Sequence, residues 1–234
     1  EIMSSDWSSD VCSSDLTLGE YMARKRYSRS FVRHFILPMG AAIWSADPKG
    51  FRLFPARYFV QFFDNHGFLN VVNQPQWYVI KGGSRSYIAP LIRNFRDRIR
   101  VNSLVVSVRR SSDHVEITPK NEEPERFDAV IIAAHSDQAL AMLADPSDEE
   151  RGILRAIPYQ ENEVLLHTDT SVLPDRRAAW ASWNYRIPRN GGDRVHVTYN
   201  MNMLQSLNAA KTFCVSLNQN RDIRSEHIRR FFIY

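Results

Sequence analysis

Seven histidines and two cysteines are the side chains of this 234-residue chain best suited to metal binding or nucleophilic attack. The histidines stand at 34, 66, 114, 135, 167, 196 and 227, and no pair has metal-ligand spacing, so no metal site is expected. There is no Walker loop, no Gly-x-Ser-x-Gly and no His-Glu-x-x-His. His135 follows an apolar run and could face a ligand; a loop histidine bonded to backbone is the favoured reading. His167, in an apolar stretch, reads as a satisfied core histidine. Cys214 sits in Thr-Phe-Cys-Val-Ser and reads as an inert core thiol. Trp44, Trp77, Trp180 and Trp183 read first as core residues. No nucleophile and base stand together.

The opening stretch has to be set apart before the elements are placed. Ser-Ser-Asp recurs three times in EIMSSDWSSDVCSSDL, with no basic start and no apolar run. Codon by codon, Asp6 to Leu16 is the translation of a widely used sequencing-adapter strand. Residues 1–16 are therefore expected to be adapter-derived and disordered, and they are excluded from fold reasoning. Cys12 and Trp7 drop out with them. Without Glu1, Asp6, Asp10 and Asp15 the chain has 30 basic and 22 acidic residues, net +8. One remaining cysteine excludes an internal disulfide framework and suits a reducing cytosol. No apolar run is long enough to cross a membrane. The chain stops at Phe-Phe-Ile-Tyr, and truncation at both ends is expected. The basic balance favours anionic partners, nucleotide, acidic lipid or nucleic acid. The one tight run, Arg24-Lys25-Arg26, reads as a solvated helix face.

The remaining composition, 44% apolar and 12% aromatic over the chain, supports a sizeable core. Thr17-Leu-Gly-Glu20 is a capping box opening a helix. A second helix starts at Ser28, and Pro38 should kink or stop it. Residues 39–44 read as a buried helix. Pro55 opens another, with Gly67 past its end. The pattern then switches. Residues 76–80 are strand-like, 81–84 a turn, and 85–95 a helix capped by Ser84. Strands are expected at 99–101, 104–109 and 114–118. The run 127–134 should be a strand buried on both faces. Ser136 and Asp137 should open a helix over 138–143, and 146–157 another. Residues 164–167, 180–185, 195–199 and 212–217 read as four strands of one mostly antiparallel sheet.

The order of these pieces resembles the flavin-containing amine oxidase superfamily. Phe35-Ile-Leu-Pro-Met-Gly-Ala-Ala-Ile-Trp-Ser45, Phe62-Phe-Asp-Asn-His-Gly67, Gly82-Gly-Ser-Arg-Ser-Tyr87, His135-Ser-Asp-Gln-Ala139, Ala181-Ser-Trp-Asn-Tyr185 and Thr198-Tyr-Asn-Met-Asn202 carry a narrower likeness. They resemble bacterial NAD/FAD-binding oxidoreductases whose genes lie beside cyclopropane-fatty-acid synthase genes.

The resemblance implies an α/β (α+β) fold: an incomplete two-domain, FAD-binding, amine-oxidase-like fold lacking its N-terminal Rossmann unit. It places the helical part of a substrate domain at 17–73, an FAD-domain segment at 74–145, and substrate-domain sheet and helices at 146–234. FAD is the implied cofactor. Val105 would meet adenine through its backbone, Ala133 and Ala134 would allow close approach, and Gly82 and Gly83 would leave room near the flavin. Many amine oxidases carry a lysine where this chain reads Glu161-Asn-Glu-Val-Leu-Leu-His167; Asn162 or Glu163 stands in its place. Amine oxidation is thereby put in doubt. The expected activity is hydride transfer to flavin from a hydrophobic, lipid-like substrate, with Trp44, Trp183, Tyr185 and Tyr199 as wall residues. This piece alone is expected to be inactive. The intact protein is expected in the cytoplasm, with peripheral membrane contact left open and no nucleic acid partner. The alternative is a non-catalytic basic α/β module binding anionic lipid or nucleic acid, with affinity that collapses in salt.

Overall fold

A computed structural model describes residues 16–44, 50–70, 72, 75–159, 161–187 and 196–233. The chain divides into two compact units, residues 1–86 with 161–234, and residues 87–160.

The first unit begins with helices that obey their start signals. Thr17 and Glu20 close a capping box on α1 (Leu18–Arg24), and Arg26, at φ 56°, turns the chain out of it. Ser28 caps a helical turn, Arg29–Phe31. The next five residues, Val32–Ile36, widen into a π-turn in which the Leu37 N–H donates to the Val32 carbonyl. The helix α2 (Leu37–Trp44) follows directly. Of the kink or stop expected at Pro38, the stop does not occur, because α2 runs on through it. Proline has no N–H to lose, and the wide turn ahead of it eases its ring past the preceding carbonyls. Pro55 is the N-cap of α3 (Ala56–Asn65), and Gly67, at φ 69°, lies past its end.

These helices bury Leu18, Tyr21, Met22, Ile36, Phe51, Phe59 and Phe63 in one aromatic-rich core. Of the sixteen residues expected to be adapter-derived, all but Leu16 lie outside the described residues. Leu16 packs against this core, and its carbonyl accepts from Ala56 N–H at 2.9 Å.

Residues 75–80 form no helix or strand, and Trp77, Tyr78, Val79 and Ile80 are exposed. The strand expected at 76–80 is thus not formed, since no described strand lies beside it. Trp77, read as core, is 60% exposed and stacks over His66 and Phe68. The turn at 81–84 is present. Helix α4 (Arg85–Leu91) is shorter than the expected 85–95; Pro90 lies in its last turn.

The second unit holds β1 (Val105–Arg110), β2 (Val115–Pro119) and β3 (Glu125–Phe127), an antiparallel sheet in that order. Helix α5 (Ser136–Met142) is bridged to β1 through Leu143 and Val108. Helix α6 (Asp148–Arg155) starts from a Ser147–Glu150 capping box. Two expectations fail here. Residues 99–101 are not a strand, and the strand expected at 127–134 ends at Phe127. A run buried on both faces needs neighbours on both sides. No described strand pairs with 128–134, and Ile131 is 93% exposed.

The sheet of the first unit contains β4 (Glu163–His167), β5 (Trp183–Arg186), β6 (His196–Asn200), β7 (Cys214–Leu217) and β8 (Ile228–Ile233). A short helix, α7 (Met201–Leu204), follows β6, capped by the Asn200 side chain. The order is β5-β6-β7-β4-β8, with every pair antiparallel. The four expected strands are there, and β8 adds a fifth at the edge. Helix α2 lies on this sheet through Ala41 and Ala42, which are buried with Val197.

Candidate functional site

Strand register sorts the sheet's side chains onto two faces. Trp183 pairs with Tyr199, Tyr185 with Val197, and Val197 with Leu217. These residues share the face that α2 covers. Ala41, Ala42 and Val197 form its buried centre, with Tyr185 and Tyr199 packed around them. Trp183 meets Tyr199 edge to face at 5.3 Å and 78°, and is 45% exposed. Burial pushes the Tyr199 phenol above its ordinary range, so it stays a neutral hydroxyl. A cleft of about 250 Å³ opens between 171–175 and 184–186, and Tyr185 lines it as well. The structure thus brings together three of the four wall residues read from the sequence. Trp44 leaves α2 in another direction. Its ring lies 4.7 Å from Phe62, 4.9 Å from Phe54 and 5.5 Å from Phe51, inside the helical core.

The opposite face is polar and closed. His167, Thr198, Asn200 and Ser216 are buried on it, and so is Cys214. His167 Nε2 lies 2.8 Å from Ser216 Oγ, which lies 2.6 Å from Thr198 Oγ1. With Asp169 two residues on, this has the composition of a hydrolytic triad. The hydrogen bonds exclude that role. The Asp169 backbone N–H donates to His167 Nδ1 at 3.1 Å, so the ring proton sits on Nε2 and points at Ser216. His167 therefore donates to the serine and cannot take its proton.

The Asp169 carboxylate instead accepts from Arg224 at 2.9 Å and from Ser171 N–H at 3.0 Å, and Arg224 holds it well below the carboxylate range. Cys214 is fully buried, and burial raises its thiol to about 11, as expected of an inert thiol. His135 is exposed. Its ring stacks on Tyr159 at 4.5 Å and 10°.

Around the place of the missing lysine, both side chains are tied. The buried Asn162 carbonyl accepts from Asn218 at 2.9 Å, and Glu163 accepts from Asn220 at 2.5 Å. Among the described residues no three metal-ligating side chains converge.

The residues read as cofactor contacts fall in both units. Gly82 and Gly83 take φ +84° and +78°, and a Cβ on Gly83 would meet nothing within 4 Å. Backbone conformation is what demands glycine there. Val105 opens β1 opposite Pro119, which has no N–H to give its carbonyl, and the register breaks before Ser107. Ala133 and Ala134 are exposed, just ahead of α5.

Residues 10–198 match the family of flavin containing amine oxidoreductases. The chain belongs to this family. Its cofactor is FAD. No Gly-x-Gly-x-x-Gly phosphate cradle occurs in the 234 residues.

Among solved structures, the chain resembles a CLA-producing fatty acid isomerase from P. acnes, with 15% identity and TM-score 0.57 over 89% of this chain and 46% of that one. It also resembles a putrescine oxidase mutant from a redesign of cofactor binding, with 12% identity and TM-score 0.61 over 95% and 49%. Wild-type putrescine oxidase bound to putrescine gives 9% identity and TM-score 0.58 over 92% and 46%. The chain thus spans about half the length of these relatives, and the likeness is one of fold. No curated protein matches it.

Proposed function

We propose that this chain is part of an FAD-dependent oxidoreductase acting on a hydrophobic, lipid-like substrate, which it holds against the β5–β6 face beneath α2. The observation that carries the reading is the chemistry of that face. Trp183, Tyr185 and Tyr199 offer aromatic surface and two phenols at the rim of the buried Ala41, Ala42 and Val197 centre, and Asp175 is the one carboxylate lining the adjoining cleft. An acyl chain would gain from such a wall by shedding water. A diamine would bring positive charges and need carboxylates to meet them.

Asn162 and Glu163 support the same choice, because an amide and a carboxylate stand where many amine oxidases carry a lysine amine. Bound FAD would accept a hydride from a C–H bond of the substrate. The residues of this chain would orient the substrate and exclude water. We place 74–145 with the cofactor and the remaining described residues with the substrate. The fatty acid isomerase among the structural relatives agrees with a lipid-like substrate.

The test is binding, read by tryptophan fluorescence, with oleic acid and putrescine as probes. Oleic acid should bind, and Trp183→Ala or Tyr199→Ala should each weaken it about tenfold, the loss of one buried ring contact. Saturable putrescine binding with no response to oleic acid would reverse the assignment.

A further inference from the structure

Residues 17–36 carry five basic side chains, Arg24, Lys25, Arg26, Arg29 and Arg33, against one acid, Glu20. That net +4 is half of the +8 borne by residues 17–234, in under a tenth of their length. Glu20 is exposed and is kept ionised by the Thr17 N–H, at 2.9 Å, and the Thr17 hydroxyl, at 2.8 Å, so the net +4 already includes its charge. Arg24, Arg26, Arg29 and Arg33 are exposed, and among the described residues none has an ion-pair partner.

An aromatic pair stands among them. Phe31 and Phe35 stack at 5.3 Å and 12°, and Phe35 remains 36% exposed beside Arg33 and His34. Tyr27 meets Phe31 from another side, at 5.6 Å and 73°. The stacking leaves little aromatic face free for a nucleic-acid base.

We propose that this segment, from Arg24 to Phe35, docks on an anionic lipid surface. The arginines would reach the headgroup phosphates on their long stems, and Phe35 would enter the interface between headgroups and acyl chains. The docking goes beyond the reading of the sheet face and holds whatever the substrate is.

Flotation of the 234-residue chain with vesicles tests it, using phosphatidylcholine alone and with about 30% phosphatidylserine, at about 0.1 M salt. The chain should float with the anionic vesicles and stay behind with the neutral ones. Each arginine removed should lower the partition coefficient about fivefold, so Arg29→Ala with Arg33→Ala should lower it about 25-fold. Phe35→Ser should lower it further. Arg151→Ala with Arg155→Ala, on α6 of the other unit, removes the same charge and should leave binding as it was. Equal losses in the two double variants would reduce the effect to net charge and overturn the proposal. So would equal binding to neutral vesicles, no flotation at all, or tighter capture of a single-stranded oligonucleotide that Arg29 and Arg33 control.

Discussion

His167 decides by its tautomer what the polar face of the sheet can do. Because Nδ1 accepts the Asp169 N–H, the ring spends its proton on Ser216, and the row becomes a brace. A serine-directed fluorophosphonate should leave Ser216 unlabelled. Ser216→Ala should cost about 1–3 kcal/mol of stability, read by urea unfolding, since it strands the buried His167 N–H and leaves the Thr198 hydroxyl only its bond from Gln219. Burial holds the His167 imidazole below its ordinary range, against a weaker upward pull from Asp169, and burial lowers His196 likewise. The unfolded chain then takes up protons first as pH falls. Stability should be full above about pH 6.5 and decline as pH drops below it. Melting temperature measured against pH should show this step, and His167→Gln should shrink it. Asp169 loses its contribution separately, below the ordinary carboxylate range. That His167 and Cys214 belong to the core was legible from their apolar neighbours. The triad-like grouping was not, because β4 and β7 meet only through long-range pairing.

At the level of elements, local signals were read well and pairing less well. Thr17 with Glu20, Ser28, Pro55 and Gly67 mark helix ends through groups a few residues away, and each does so in the structure. The strands at 76–80 and 127–134 were read from apolar runs, whose partners lie elsewhere or nowhere among the described residues. Residues 228–233 form β8, paired with β4, a strand the sequence reading did not place. The helix continues through Pro38 by way of a π-turn over residues that carry no mark of it in the sequence. One close approach is testable within α2. A Cβ on Gly40 would lie 2.0 Å from Phe51 Cε1, at the edge of the ring. Gly40→Ala should therefore cost about 1–3 kcal/mol by forcing that ring aside, despite the gain in helix propensity, and calorimetry would show it as a lower melting temperature.

Over the whole chain, the apolar surface is unevenly covered. Tyr21, Phe59 and Phe63 are buried in the helical core, whereas Val101, Leu104 and Ile131 stand 77%, 63% and 93% exposed in the other unit. Phe231, Phe232 and Ile233 line an edge strand at 49%, 44% and 60%. Exposed apolar edges recruit other strands. The purified chain should bind a hydrophobic dye strongly and associate with rising concentration, and Phe231→Lys with Phe232→Lys should suppress the association seen by light scattering. Without a phosphate cradle in its sequence, the chain should lose added FAD on gel filtration; a yellow monomer would contradict this. Among the described residues no helix is long and apolar enough to cross a membrane.

The sheet holds itself together on one side and meets α2 on the other. Its bracing row of His167, Ser216 and Thr198 shares no side chain with the aromatic wall of Trp183, Tyr185 and Tyr199. Changes to the wall can therefore accumulate without loosening the brace. A laboratory library confined to those three positions should consist mostly of folded members.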